Sequence, residues 1–203
     1  MAQNYETSLL LDERASALEV LRRQKAFAEH CLKQAPDGVF FCRPAPGMNS
    51  LAILVRHMAD NMLSRWGDFD AMLRGEADGE KPWRDREAEF ADPEPTAEAR
   101  RELMERWERG WAAVFAAIEP LTPADFDRRV TIRGAPHSVH LAVLRQVDHY
   151  AYHVGQIALI GRMLVGAEGW DYFTVAPGRS AEFTRRVREA NAERADGGGA
   201  DRR

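Results

Sequence analysis

Cysteine is scarce in this chain. Cys31 and Cys42 are the only two among 203 residues, and they fit no thiolate–metal spacing. No block of Lys and Arg stands out and the formal net charge is −4, which speaks against phosphate-backbone binding and hence against nucleic acid as a partner. No apolar run approaches the ~18 residues a membrane helix needs. The opening Met-Ala-Gln-Asn-Tyr-Glu-Thr has neither the charged start nor the apolar core of a signal peptide, so a cytoplasmic protein with reduced thiols is expected. Several catalytic signatures are also missing. There is no Gly-x-Ser-x-Gly elbow and no phosphate-cradling loop. No Glu follows His149 in the manner of His-Glu-x-x-His, and the paired Glu-x-x-His motifs of di-iron bundles do not occur. Any metal site would be mononuclear.

What is present is a soluble-type composition, 45% apolar and 30% charged, with neither internal repeat nor linker. One domain over 1–194 and a disordered tail over 195–203 are expected. Apolar residues recur at helical spacing in four long segments. The first runs from Thr7 to Lys33 with Leu10, Leu11, Leu18, Leu21 and Ala28 inward, and Pro36 and Gly38 end it. After a loop to Gly47, Asn49 or Ser50 caps a second helix, Leu51 to Leu73, with the stripe Leu51, Val55, Met58, Met62, Trp66 and Phe69. Thr96 caps a third, reaching Ile118, with Trp107, Trp111 and Val114 inward. A short turn at Thr122-Pro123 follows, and the alternation over Arg129–His140 around Gly134 predicts a hairpin or extended loop. Ser138 leads into a fourth helix, Val139 to Val165, and a short fifth covers Ser180 to Glu193. The fold class is all-α, a four-helix bundle. The connection Gly75–Pro95 reads either as a surface loop pinned by Trp83 or as a lid, with Arg84 or Arg86 meeting an anionic group.

The fourth helix carries Asp148-His149-Tyr150-Ala151-Tyr152-His153-Val154-Gly155-Gln156. Histidines four apart stack on one helix face, a spacing at which two imidazoles can grip one ion. His57 lies at the flank of the second helix's buried stripe and is the natural third ligand. Three histidines with an open position would make a catalytic rather than a structural zinc-type site. The competing reading is a set of core histidines that satisfy one another. His137, His140 and His30 read as turn, surface or structural residues.

The segment His-Tyr-Ala-Tyr-His-Val-Gly-Gln-Ile, a histidine inside the second of four helices, Asn61–Trp66 and Gly79–Arg84 together resemble the DinB/YfiT-like metalloenzyme superfamily, over roughly Ala15 to Leu164. That resemblance implies a divalent metal, zinc or nickel, held by His57, His149 and His153. It also implies a reaction: relatives include transferases and isomerases that use low-molecular-weight thiols such as mycothiol, bacillithiol or glutathione. A thiol-dependent S-transferase or isomerase acting on a small-molecule substrate is therefore the leading expectation. Metal-dependent hydrolysis with the same ligands, or a non-catalytic metal-binding stress-response protein, are the alternatives. Gln156 and Asn61 are expected beside the ligands, Arg84, Arg65 and Trp83 at the pocket rim where substrate or thiol binds, and Asp60 or Asp148 as a general base. A homodimer is expected on the same ground.

Overall fold

The structure, a computed structural model, describes residues 12–197; Thr7, Leu10 and Leu11 of the expected first helix, and residues 198–203 of the expected tail, lie outside them. The chain divides into two compact units, Met1–Gly169 and Trp170–Arg203. In the first, four long helices form the bundle: α1 (Glu13–Lys33), α3 (Leu51–Trp66), α6 (Ala97–Ile118) and α7 (Val139–Val165). Between them lie the short helices α2 (Asp37–Phe40), α4 (Phe69–Leu73) and α5 (Arg86–Glu89). A 3-10 turn (Pro123–Asp127) and a hairpin of β1 (Arg129–Ile132) and β2 (Ala135–Ser138) precede α7. The second unit carries α8 (Ser180–Gly197), four residues longer than the pattern predicts, so residues 195–197 are helical. No described helix is long and apolar enough to cross a membrane.

The helix starts are set by local chemistry. Asp12, Ser50, Thr96 and Ser138 each accept a hydrogen bond from a first-turn backbone N–H, satisfying donors that have no partner within the helix. The second long segment is not continuous to Leu73 as its periodicity suggests. It stops at Trp66, and α4 resumes at Phe69 after Gly67 and Asp68, whose φ of −126° and ψ of 43° leave the helical region. The segment after α1 is likewise not all loop: α2 buries Phe40 completely.

Helix α3 packs chiefly on α6 and α1 chiefly on α7, with smaller α3–α7 and α1–α6 contacts closing the ring. Fourteen of the sixteen residues of α3 are buried, polar ones included, because it is covered on a further side by the connection that follows it. At the α3–α6 crossing a Cβ on Gly110 would lie 3.3 Å from the Ala59 backbone and 3.2 Å from the Met62 Cβ. A side chain there would press on both, so glycine suits this close approach. Behind the crossing, Trp66 Nε1 donates to the Tyr150 hydroxyl at 2.9 Å, which donates to Asn61 Oδ1 at 3.3 Å. Three buried polar groups are thereby paired, as burial requires.

The connection Gly75–Pro95 is a packed part of the bundle. Arg133 and Gly134 both have positive φ, 55° and 73°, the two-residue hairpin turn that matches strand twist. Asp78 accepts from the N–H groups of both, at 2.8 Å each, and from Glu80 N at 2.6 Å. Gly79 N donates to Thr131 O at 2.8 Å. On α3, Ser64 bonds Gly79 O and Lys81 N at 3.1 Å each, and Arg56 donates to the carbonyls of Glu89 and Ala91. The connection therefore lies pinned along α3, with Lys81, Arg84 and Glu89 buried.

Candidate metal centre

Helix spacing puts His149 and His153 one above the other on α7, and α3 lies alongside with His57 turned toward them. The three side chains meet through the same ring atom: His57 Nε2 is 3.3 Å, and His153 Nε2 3.0 Å, from His149 Nε2. All three ligand atoms lie within 4.8 Å of one another. His57 and His153 are buried at 5% and 7% exposure, and His149 is half-buried.

The opposite edges of two of these rings fix their tautomers. Glu89 Oε2 lies 2.8 Å from His57 Nδ1; an ionised carboxylate only accepts, so Nδ1 carries the proton and Nε2 presents its lone pair inward. Gln156 Oε1 does the same for His153 Nδ1 at 2.8 Å. Glu89, 1% exposed, is itself clamped by Arg84, from Nε at 2.5 Å and Nη2 at 3.0 Å. Burial alone would raise the Glu89 carboxyl, but the hydrogen bonds from His57 and Arg84 and the Arg84 charge outweigh it and hold it at about 2. Burial pushes His149 down to about 3, with His153, His57, Arg84 and Arg65 adding to the shift. Burial lowers His153 to about 4, opposed by the Gln156 hydrogen bond and reinforced by His57. Both imidazoles are neutral at pH 7, the form that ligates metals.

The donor set fits a divalent ion. Two imidazoles on one tetrahedral zinc, each about 2.0–2.1 Å from it, stand about 3.3 Å apart, close to the spacing found here. Without a cation the arrangement is costly. His57 and His153 both offer acceptors, so a proton on His149 Nε2 satisfies one approach at the most, and its Nδ1 is buried with no hydrogen-bond partner among the described residues. Converging ring lone pairs repel unless they share a cation. Carboxylate–histidine and amide–histidine pairs behind the ligating nitrogens are how metal sites orient their ligands.

A cavity of about 350 Å³ opens over His57 and His149. Asn61, Arg65 and Arg84 line it, as do Gln146, Asp148 and His149. Gln156 instead holds His153 from behind. Trp83 is not among the lining residues; it is 52% exposed beside Arg106. Of the two aspartates weighed as a base, Asp148 lines the cavity, whereas Asp60 is ion-paired to Arg106 on α6. His137 and His140 stand at the surface, on Ala135 O and Glu13 respectively. Glu89 is the residue the sequence reading missed. Its only signal is the demand of a buried His57 for an acceptor behind Nδ1, and nothing in the spacing of the long connection points to the fifth residue after Arg84.

Fold and centre together define a class: a four-helix bundle with a three-histidine divalent-metal-type site between its second and fourth long helices. The chain belongs to the DUF1572 family, a protein family of unknown function, whose profile matches residues 11–179. Among solved structures it is similar to YfiT from Bacillus subtilis, described as a probable metal-dependent hydrolase with an unusual four-helix bundle topology, with a TM-score of 0.59 at 18% identity over 84% of this chain and 97% of that one. This is the fold that the resemblance to the DinB/YfiT-like superfamily implies. No curated protein matches the chain.

Proposed function

We propose that the protein is a mononuclear divalent-metal-dependent enzyme, and that its reaction is hydrolysis of a small-molecule substrate. The observation that carries this is the convergence of three histidine Nε2 atoms, two of them aimed from behind by Glu89 and Gln156, beside a ligand-sized cavity. His57, His149 and His153 would hold the ion, zinc or nickel by their imidazole chemistry. Such an ion, when bound, supplies Lewis acidity, polarising a carbonyl and lowering the pKa of water. The chain's own groups do the rest. Glu89 and Gln156 keep the imidazoles in the ligating tautomer, and the buried Arg84 keeps Glu89 ionised. Asp148, on the cavity wall, is the group placed to accept a proton, while Asn61 and Gln146 offer hydrogen bonds to a ligand. YfiT, which shares the fold, supports hydrolysis as the chemistry.

Thiol-dependent transfer is the second reading, with the same ligands and a low-molecular-weight thiol in place of water. The arginine-rich wall favours it to this extent, that it would also suit the carboxylates of a thiol such as glutathione. Residence in the cytoplasm accords with the unpaired Cys31 and Cys42.

Elemental mass spectrometry of the untagged protein tests the metal. One equivalent of ion in the wild type, lost in His57→Ala and in His149→Ala, supports one shared site. Absence of metal and of uptake on adding zinc or nickel would overturn the enzyme reading. Ester and amide hydrolysis assayed with and without thiol then separates the two chemistries.

A further inference from the structure

The cavity over the histidines is walled by one sign of charge. Arg65, Arg84, Arg86, Arg133 and Arg145 line it, against Asp148 as the lining carboxylate, in a chain whose net charge is −4. The five come from four separate elements: α3, the connection with α5, the hairpin turn and α7. A single solvated helix face does not explain that convergence, and gathering like charges round one concavity costs repulsion unless an anion relieves it.

Two carboxylates behind the wall neutralise only part of it. Glu80 is shared by Arg65 at 2.9 Å and Arg133 at 3.3 Å, and Glu89 serves Arg84. Arg86 has no carboxylate partner among the described residues. Arg145 donates to a ring nitrogen, His137 Nε2, at 2.6 Å rather than to a carboxylate. Deeper in, Arg84 is fully buried, yet its Nη1 makes no hydrogen bond among the described residues, standing 3.9 Å from Glu80. Arg65, 7% exposed, has its Nε in the same condition. Buried N–H groups of charged side chains are rarely left so.

We propose that this cavity binds a small organic anion, an oxyacid carrying a carboxylate or phosphate, whose charged group is held by Arg86, Arg145 and the free edge of Arg84 while its remainder reaches the histidines. A volume of about 350 Å³ suits a small molecule. The Arg84–Glu89–His57 chain places the anion's holder next to the ligand's. Its part as substrate recognition rests on the metal-enzyme reading; the anion site itself does not.

Calorimetric titration of the full chain with succinate and with inorganic phosphate, metal-free and zinc-loaded, tests it. Binding to the wild type should weaken about tenfold in Arg86→Gln and in Arg145→Gln and about a hundredfold in the double variant, with metal content and melting temperature unchanged. Arg162→Gln, exposed on α7 beyond the cavity, should bind as the wild type does. Whichever probe binds more tightly identifies the head group. The proposal is overturned if neither anion binds at millimolar concentration, or if the double variant binds undiminished. Binding that needs zinc and ignores the arginines also overturns it, and leaves the metal reading standing. Arginine-dependent binding in a protein that takes up no metal would do the reverse.

Discussion

Glu89→Gln is the substitution that bears most directly on the metal centre. The change keeps the shape of the side chain and removes its charge and one acceptor. In the wild type the carboxylate takes three hydrogen bonds, one from His57 and two from Arg84. The amide offers one carbonyl oxygen, and its NH2 group must face a donor. If the carbonyl turns to Arg84, His57 loses the group that fixes its tautomer, and losses of such partners weaken metal binding about 10–100-fold, or about 1.4–2.7 kcal/mol. If it turns to His57, the fully buried Arg84 loses its counter-charge. Removing one partner of a buried pair costs about 3–5 kcal/mol, and the retained hydrogen bond puts the expected loss at the lower end. Competition against a chromophoric zinc chelator measures the first effect, and urea unfolding of the metal-free protein measures the second. A variant with zinc affinity within about twofold of the wild type and an unchanged urea midpoint would refute the claim that Glu89 links a ligand to Arg84, because the amide cannot serve both partners.

Gln156→Ala removes the acceptor behind His153 Nδ1, and the same chelator assay should show about a tenfold weaker site with little loss of stability. Tyr150→Phe strands the Trp66 indole N–H and Asn61 Oδ1; about 1–3 kcal/mol should be lost on urea unfolding, with zinc stoichiometry intact. Gly110→Ala gains helix propensity of about 1 kcal/mol but sets a methyl 3.3 Å from the Ala59 backbone and 3.2 Å from the Met62 Cβ, so α3 and α6 must shift apart slightly, and a lower melting temperature is the expected outcome. Asp78 lies below the usual carboxylate range: burial would raise it, and the N–H groups of Gly134, Glu80 and Arg133 outweigh that. A depressed folded-state pKa stabilises above the unfolded value, near 3.9, and that stability is lost as pH falls through the folded value. Wild-type stability should therefore decline below about pH 4 with a component that Asp78→Ala lacks, read from urea midpoints at pH 7 and pH 3.

The helices were legible because their signals are local. Ser50, Thr96 and Ser138 announce helix starts through one side-chain hydrogen bond each, and α7 runs over the residues its periodicity marks. The break at Gly67–Asp68 was not, since Trp66 and Phe69 both continue the apolar stripe across it. His57, His149 and His153 could be paired from sequence because helical spacing fixes which side chains share a face. Glu89 could not, for its position depends on Asp78 gripping a turn some 55 residues away and on Arg56 holding its carbonyl, contacts with no periodic trace.

That long-range pinning explains why a helical bundle carries a small hairpin at all. α3 and α7 alone can supply three imidazoles, but neither supplies the carboxylate behind His57. The chain brings that group from a connection, and a connection holds a charged residue in place only if its own backbone is fixed. Asp78 bound across the Arg133–Gly134 turn fixes one end, Ser64 and Arg56 on α3 fix the middle and far end, and Glu89 is then delivered between His57 and Arg84. The same pinning brings Arg84, Arg86 and Arg133 to the cavity wall. Freeing the hairpin should therefore weaken zinc binding from a distance: Asp78→Ala, which touches no ligand, is expected to lower affinity less than Glu89→Gln but measurably, by about threefold to tenfold. An Asp78→Ala protein that loses stability and keeps wild-type zinc affinity would show that the connection is ordered by α3 alone.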